Sequence, residues 1–352
     1  MTKVTQIESW IGVDIGGANI KISNPSGRSL ADAFPLWKSP HDLAARLDAI
    51  ISPFGASCGL AVTTTAELAD CFADRSSGVR HVVASVNEVA RARPVAWFNL
   101  KGNWISPEQA ADEPETVAAA NWLALATWIG KQIGKQSAVL LDIGSTTTDV
   151  IPIVRGLPAP KAYTDTDRLR HEELLYLGVA RTPICSILKT APYRGNRIEV
   201  AAEWFATSLD AFITLGWLPE SNDNAHTADG KPALRAHSQR RLARTVLAIG
   251  KGEFSANDAQ AIASETAQRL ITRVQAALNG KLREQGLPLS QVILSGSGEF
   301  LGRRILKEMG VDSEFLSISK MLGTEAAICA TAVALANLRT IATAIHNEAI
   351  ET

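Results

Sequence analysis

Two segments of the chain share one pattern, IGVDIGGANIK at 11–21 and LLDIGSTTTDV at 140–150. In each, a short apolar run leads to an aspartate, Asp14 or Asp142, and glycine follows two residues later. Apolar runs of this length predict buried strands, so each aspartate falls where a strand ends. A single copy is equally typical of a β-turn after a strand. Two copies, 128 residues apart, predict two hairpins of one design that face each other.

The turns of these hairpins are predicted to bind phosphate. Glycine lets the backbone turn sharply and lets an anion approach the amides, and hydroxyl and amide side chains add donors. The predicted phosphate-binding residues are Gly16, Gly17, Asn19, Lys21, Gly144, Ser145, Thr146 and Thr147. Mg²⁺ is usually held by one or two carboxylates with phosphate oxygens, which predicts Asp14 and Asp142 as its ligands. The alternative for both aspartates is a turn-capping carboxylate.

Length and composition set the class of protein. A chain of 352 residues exceeds the roughly 250–300 at which one core stops growing, so two domains are expected. Lys and Arg number 35 against 36 Asp and Glu, which argues against a nucleic-acid partner. The first ten residues lack a signal-peptide core, and no apolar run reaches about 18 residues. We therefore expect a cytoplasmic protein without a membrane partner, and the four dispersed cysteines predict reduced thiols.

The pattern along the chain predicts alternating strands and helices. A β-meander is expected over 10–34, a strand at 81–86, and a helix from about 112 to a stop at Gly130. A later helix is expected over 256–279, ended by Gly280. The predicted first lobe comprises 1–134 plus about 324–352, and the second comprises 135–323.

Four segments together resemble the actin, Hsp70 and sugar-kinase (ASKHA) superfamily. The two hairpins are similar to its phosphate loops, 292–306 to its adenosine loop, and 322–336 to the helix between its lobes. The resemblance implies an α/β fold of two RNase H-like lobes with a cleft between them. It also implies ligand binding by Gly296, Ser297 and Gly298. ATP is left open, because this loop reads S-G-S-G rather than a fuller glycine run.

Three further stretches, 59–79, 120–126 and 170–188, resemble a narrower group, the hydantoinase/oxoprolinase-like proteins of tetrahydromethanopterin- and methanofuran-linked one-carbon metabolism. The resemblance implies a transferase that joins an aminomethylfuran diphosphate to the phenol of a glutamyl-tyramine or tyrosine-like acceptor and releases pyrophosphate. The alternatives are an ATP-dependent small-molecule kinase or hydantoinase-like enzyme, and a nucleotide-switched assembly factor. The expected partner is a phosphorylated small molecule, and a homodimer is left open.

Candidate side chains for this chemistry each have a structural alternative. A leaving diphosphate needs electrostatic stabilisation, and a phenol with a pKa of about 10 needs a base. The predicted catalytic residues are Asp142, Asp149 and Glu67, and the predicted substrate-binding residues are Thr64, Thr65, Arg170 and Arg181. Asp149 is equally typical of a loop cap, Glu67 of a favourable helix-start charge, and the arginines of surface ion pairs.

Overall fold

The computed structural model describes residues 9–55, 57–311 and 315–351. Its strands are β1 Ser9–Gly16, β2 Asn19–Ser23, β3 Ser29–Ala33, β4 Cys58–Thr65, β5 Val95–Phe98, β6 Trp104–Ile105, β7 Ala138–Ile143, β8 Thr148–Val154, β9 Leu157–Pro158, β10 Leu174–Leu175, β11 Thr190–Tyr193, β12 Asn196–Glu199, β13 Val292–Ser295 and β14 Leu316–Ser317. Its helices are α1 Leu43–Ile51, α2 Arg75–Ala90, α3 Pro107–Asp112, α4 Asn121–Ile133, α5 Asp165–Arg170, α6 Ile184–Ile187, α7 Ser208–Thr214, α8 Arg235–Thr245, α9 Ala256–Gln285, α10 Glu299–Glu308, α11 Ile318–Leu322, α12 Thr324–Ile328 and α13 Ala330–Glu351. No helix in these ranges has an apolar stretch long enough to cross a bilayer.

The chain forms two compact units. Unit 1 comprises 1–138, 152–165 and 317–352, and unit 2 comprises 139–151 and 166–316. Residues 152–165 thus lie in unit 1, whereas the sequence-based division put them in the second lobe. The reason is a close backbone contact, since a Cβ on Gly130 of α4 would lie 2.2 Å from the carbonyl oxygen of Gly156.

The sheet of unit 1 has the order β3-β2-β1-β4-β5-β6. Strands β1, β2 and β3 form an antiparallel meander, and β4 and β5 continue the sheet parallel to β1. Helix α13 packs on β1 at Gly12, where a Cβ would lie 1.9 Å from the carbonyl oxygen of Ala332. The sheet and its helices enclose a core rich in Ile, Leu and Val.

The sheet of unit 2 repeats this order as β10-β8-β7-β13-β14. Strand β13 runs parallel to β7, as β4 does to β1. The long helix α9 buries Leu270, Val274 and Leu278 in the core of this unit. The α/β fold with RNase H-like sheets, which the resemblance of four segments implied, is confirmed.

Three element predictions were wrong. Residues 81–86 lie inside α2, which begins at a capping box formed by Asp74 and Ser77, and not in a strand. Helix α4 starts at Asn121 and continues past Gly130, because that glycine is needed for the contact with Gly156 rather than as a stop. Helix α9 likewise continues past Gly280 to a left-handed Gly286.

Candidate functional site

The hairpin of unit 1 carries Asp14 near the end of β1. Lys21 lies directly opposite Asp14 on the antiparallel β2, and Thr63 is its neighbour on the parallel β4. The Asp14 side chain is 7% exposed, and Oδ1 has no hydrogen-bond partner among the described residues. Burial raises the pKa of Asp14 above its ordinary value, and the charge of Lys21 offsets part of that rise. A bound cation would supply the missing partner.

The turn between β1 and β2 contains the other predicted residues of this hairpin. Gly16 and Gly17 are half-buried and Asn19 is exposed. A Cβ on Gly17 would meet nothing within 4 Å, so the turn leaves open space beside its backbone. The structure therefore brings Gly16, Gly17, Asn19 and Lys21 to the same hairpin as Asp14.

The threonines at the end of β4 differ in what their hydroxyls contact. The Thr64 hydroxyl donates to the carbonyl of Ile15 at 3.2 Å and accepts from the amide of Ala66 at 3.0 Å, so it ties β4 to β1. Thr65 lies opposite Gly16 and is half-buried. The hydroxyl of Thr63 is buried and has no partner in the part of the chain that the structure describes.

The hairpin of unit 2 is held in shape by its own backbone and by the segment 178–181. The amide of Gly144 donates to the carbonyl of Thr147 at 2.8 Å, and the carbonyl of Ser145 accepts from the amides of Ala180 and Arg181. A Cβ on Gly178 would lie 2.5 Å from the Ser145 backbone, so this approach requires glycine. The side chains of Ser145, Thr146 and Thr147 stay half-buried at the turn.

The loop after β13 is brought to Asp142. Ser295 pairs with Asp142 in the parallel register, and Gly296 follows with φ +87°. A Cβ on Gly296 would lie 2.6 Å from Oδ1 of Asp142 and 2.3 Å from the carbonyl oxygen of Ile143. The amide of Gly298 donates to that same carbonyl at 2.7 Å, and Ser297 is exposed between the two glycines.

The two units place equivalent side chains around their aspartates. Thr63 is the β4 neighbour of Asp14, and Ser295 is the β13 neighbour of Asp142. Both hydroxyls are buried and without a partner among the residues placed in the structure. Four residues after each hydroxyl stands a buried glutamate, Glu67 in unit 1 and Glu299 in unit 2. The sequence analysis missed Thr63 and Ser295, although the shared spacing of the strands could have identified them.

Glu67 and Glu299 differ in their partners. Glu299 forms an ion pair of 3.2 Å with Arg303. Glu67 is 2% exposed, and neither of its carboxylate oxygens has a hydrogen-bond partner within the described ranges. Burial raises the pKa of Glu67 to about 8. The nearby backbone amides of Glu67 and Ala119 and the charge of Arg75 oppose this rise, and the charge of Asp165 adds to it. At neutral pH most copies of this side chain are protonated and able to exchange a proton.

The other predicted side chains have structural partners. Asp149 forms a buried ion pair of 2.7 Å with Arg168, which accounts for its burial without a catalytic role. Arg170 is exposed and pairs with Asp167 at 2.6 Å, as expected of a surface ion pair. Arg181 is exposed next to the unit 2 hairpin, to which its backbone amide is bonded.

The donors at the hairpins fit a hard cation bound together with phosphate. Among the described residues no three His, Cys, Asp or Glu side chains come together as a metal site. Mg²⁺ does not need such a cluster, since waters and phosphate oxygens usually complete its shell. The unpartnered Oδ1 of Asp14 is the kind of oxygen ligand that such a cation takes.

Comparison with known proteins gives matches along most of the chain. The family model described as hydantoinase/oxoprolinase matches residues 59–342. A protein of Methanocaldococcus jannaschii named (4-{4-[2-(gamma-L-glutamylamino)ethyl]phenoxymethyl}furan-2-yl)methanamine synthase is 29% identical over 93% of this chain and 96% of its own length. A protein of Methanococcus vannielii with the same name is 32% identical over 58% of this chain and 90% of its own. Among solved structures, a nucleotide-free acetone carboxylase matches with a TM-score of 0.47 and 15% identity, over 86% of this chain and 46% of that one.

Proposed function

Because this chain belongs to the hydantoinase/oxoprolinase family, and because it is similar to two furan-methanamine synthases, we propose that it forms the aryl furfuryl ether named in those relatives. The donor is a furan with an aminomethyl group and a CH₂–O–diphosphate group. The acceptor is the phenol of a γ-glutamyltyramine-like molecule. The enzyme is a transferase that acts on small molecules in the cytoplasm.

The bond changes of the reaction are simple. The phenol oxygen forms a bond to the furfuryl carbon, the bond from that carbon to the diphosphate oxygen breaks, and pyrophosphate leaves with the bonding electron pair. The phenol proton passes to a base. The furan ring can delocalise positive charge at the carbon, so most of the demand on the protein is to stabilise the negative charge of the leaving group.

The hairpins supply groups of the type that this leaving group needs. Glycine-rich turns offer backbone amides, Lys21 offers a cation, and Ser145, Thr146 and Thr147 offer hydroxyls. Asp14 in unit 1 and Asp142 in unit 2 are each an aspartate of the kind that would hold Mg²⁺, which would neutralise diphosphate charge when bound. Supporting the proposal most strongly is the buried Asp14 carboxylate with an unpartnered oxygen at the end of β1, on the first of two hairpins of one design.

The test uses the purified full chain with MgCl₂, the synthetic furan diphosphate and γ-glutamyltyramine. We expect pyrophosphate release that requires both organic substrates, with the ether detected by mass spectrometry. Asp142→Asn should abolish most of the turnover, whereas Asp48→Asn, which alters an exposed partner of Arg91, should not. A complete mixture that yields no ether would refute the proposal.

An ATP-dependent kinase or hydantoinase-like enzyme is the competing function, since it would use the same hairpins. Calorimetry with ATP and MgCl₂ distinguishes the two. Tight ATP binding, with hydrolysis stimulated by a metabolite other than a furan, would replace the transferase proposal.

A further inference from the structure

The side chain of Glu67 is unusual in unit 1 because it is almost fully buried and its carboxylate forms no side-chain hydrogen bond or ion pair within the described ranges. It lies in a 3₁₀ turn, Ala66–Leu68, directly after β4. A buried carboxyl group without a side-chain partner is costly to a fold. In native structures such a group is explained by strain, by a catalytic role or by a bound water or ion.

Backbone contacts hold Glu67 in this position. Gly78 of α2 lies against it so closely that a Cβ there would be 2.7 Å from the Cα of Glu67. On the other side, the amide of Ala119 donates to the carbonyl of Thr64 at 3.1 Å, and Ala119 has a left-handed φ of +50°. The turn that carries Glu67 is therefore fixed from two directions.

Two aromatic residues lie close in sequence to residues that act on Glu67. Ala119, whose amide acts on the Glu67 carboxylate, comes three residues before Trp122, and Asp165, whose charge acts on Glu67, comes two residues after Tyr163. The rings of Trp122 and Tyr163 are 6.1 Å apart. Tyr163 is 47% exposed and Trp122 is buried, so this pair reaches from the interior to the surface.

Glu67 lies among charged side chains of both signs. Arg75 contacts Asp165 at 3.5 Å and Glu115 at 3.8 Å, and its positive charge acts on Glu67 as well. A phenol hydroxyl can donate to the carboxylate, and its ring matches the aromatic pair.

We propose that Glu67, together with the Trp122–Tyr163 pair, binds the phenol ring of the acceptor and that Glu67 removes the hydroxyl proton during ether formation. This inference rests on the proposed transferase function. The O–H bond breaks, its electron pair forms the bond from oxygen to the furfuryl carbon, the proton moves to the Glu67 carboxylate, and pyrophosphate takes the electrons of the broken C–O bond. Glu67 then returns the proton to solvent.

The pKa of Glu67 suits this role. At about 8 it lies between that of an ordinary carboxyl group and the value of about 10 for a phenol. A base is most effective when its pKa is close to the working pH. The ionised fraction rises toward pH 8, so kcat/KM of the native enzyme should rise over the same range.

The decisive experiment measures binding without any donor. Calorimetry with γ-glutamyltyramine and with γ-glutamylphenethylamine, which lacks the hydroxyl, should show at least a tenfold preference of the native chain for the phenol. Glu67→Leu, which has no acceptor for the hydroxyl, should remove most of that preference. Glu115→Leu is the matched control, since it changes an exposed carboxylate beside the same arginine and should keep the preference.

Kinetics separate this inference from the proposed function. Glu67→Gln should lower kcat by at least a hundredfold and flatten the pH profile, and Glu67→Asp should recover part of the rate. If Glu67→Leu keeps the preference for the phenol and Glu67→Gln keeps its turnover, the acceptor site is wrong although the transferase stands. If no ether forms but the phenol preference depends on Glu67, the transferase is wrong and the phenol site stands. A native chain without a preference for the phenol overturns the site.

Discussion

The burial of Glu67 predicts that Glu67→Gln will stabilise the protein at neutral pH. Its pKa rises from 4.5 to about 8 on folding, so the folded chain holds this proton over a range in which the unfolded chain has lost it. Stability therefore falls as pH increases from about 4.5 to about 8, by about 1.4 kcal/mol for each pH unit. Glutamine does not titrate and has nearly the same shape as the protonated acid, so the variant escapes this loss.

The size of the effect follows from the pH chosen. At pH 7 the solution is about 2.5 pH units above the ordinary pKa, which gives Glu67→Gln an advantage of about 3 kcal/mol. At pH 5 the advantage falls below about 1 kcal/mol by the same relation. Above pH 8 it levels off at about 5 kcal/mol.

Urea unfolding of both chains at pH 5, 6, 7 and 8, followed by tryptophan fluorescence, measures this difference. We expect the two unfolding free energies to diverge as pH rises, with unchanged m-values. Glu115→Gln serves as the control, because that carboxylate is exposed and its removal should leave the pH dependence of the native chain. Parallel pH profiles for the native chain and Glu67→Gln would refute a raised pKa at Glu67.

Three further predictions concern the aspartates and their neighbours. Thr63→Val and Ser295→Ala each remove a buried hydroxyl without a partner among the described residues. Each variant should therefore raise the free energy of unfolding by about 1 kcal/mol, measured by thermal unfolding. It should also lower kcat about tenfold, and a native rate would show that the hydroxyl contacts no ligand. Gly296→Ala should destabilise unit 2 by roughly 1–3 kcal/mol, because φ is +87° and the Cβ would overlap a carbonyl oxygen. Melting temperatures test this, and an unchanged melting temperature would contradict it. Asp14→Asn should have a melting temperature no lower than that of the native chain at neutral pH, because it removes a buried charge. Its turnover should be at least a hundredfold slower, and rapid turnover would exclude Asp14 as a metal ligand.

The hairpins could be predicted from sequence because every signal for them is local. An apolar run, an aspartate and a glycine within seven residues determine where β1 ends, and the same holds for β7. The strand predicted at 81–86 was wrong for a related reason. Its β-branched residues favour a strand locally, but the buried valines recur at Val79, Val82, Val83 and Val86, which is a helical spacing.

The properties that make the candidate sites reactive depend on distant partners and could not be read from sequence. Asp149 was a catalytic candidate for which a loop cap was equally typical, and its carboxylate is engaged by Arg168, 19 residues later. Glu67 gave a weak signal, because acidic residues are common where helices begin. Its chemical interest comes from missing partners, which only the packing of Gly78 and Ala119 around it reveals.

The two units repeat one arrangement but differ in how its acidic groups are compensated. In unit 2, Asp149 pairs with Arg168 and Glu299 pairs with Arg303, so both charges are neutralised within the protein. In unit 1, the corresponding positions hold Lys21, which faces Asp14, and Glu67, which is without a partner among the described residues. Uncompensated buried carboxylates destabilise a fold, and a ligand that completes them recovers that free energy on binding. Bound ligand should therefore stabilise unit 1 more than unit 2, because unit 1 retains more buried polar groups that the folded chain does not satisfy.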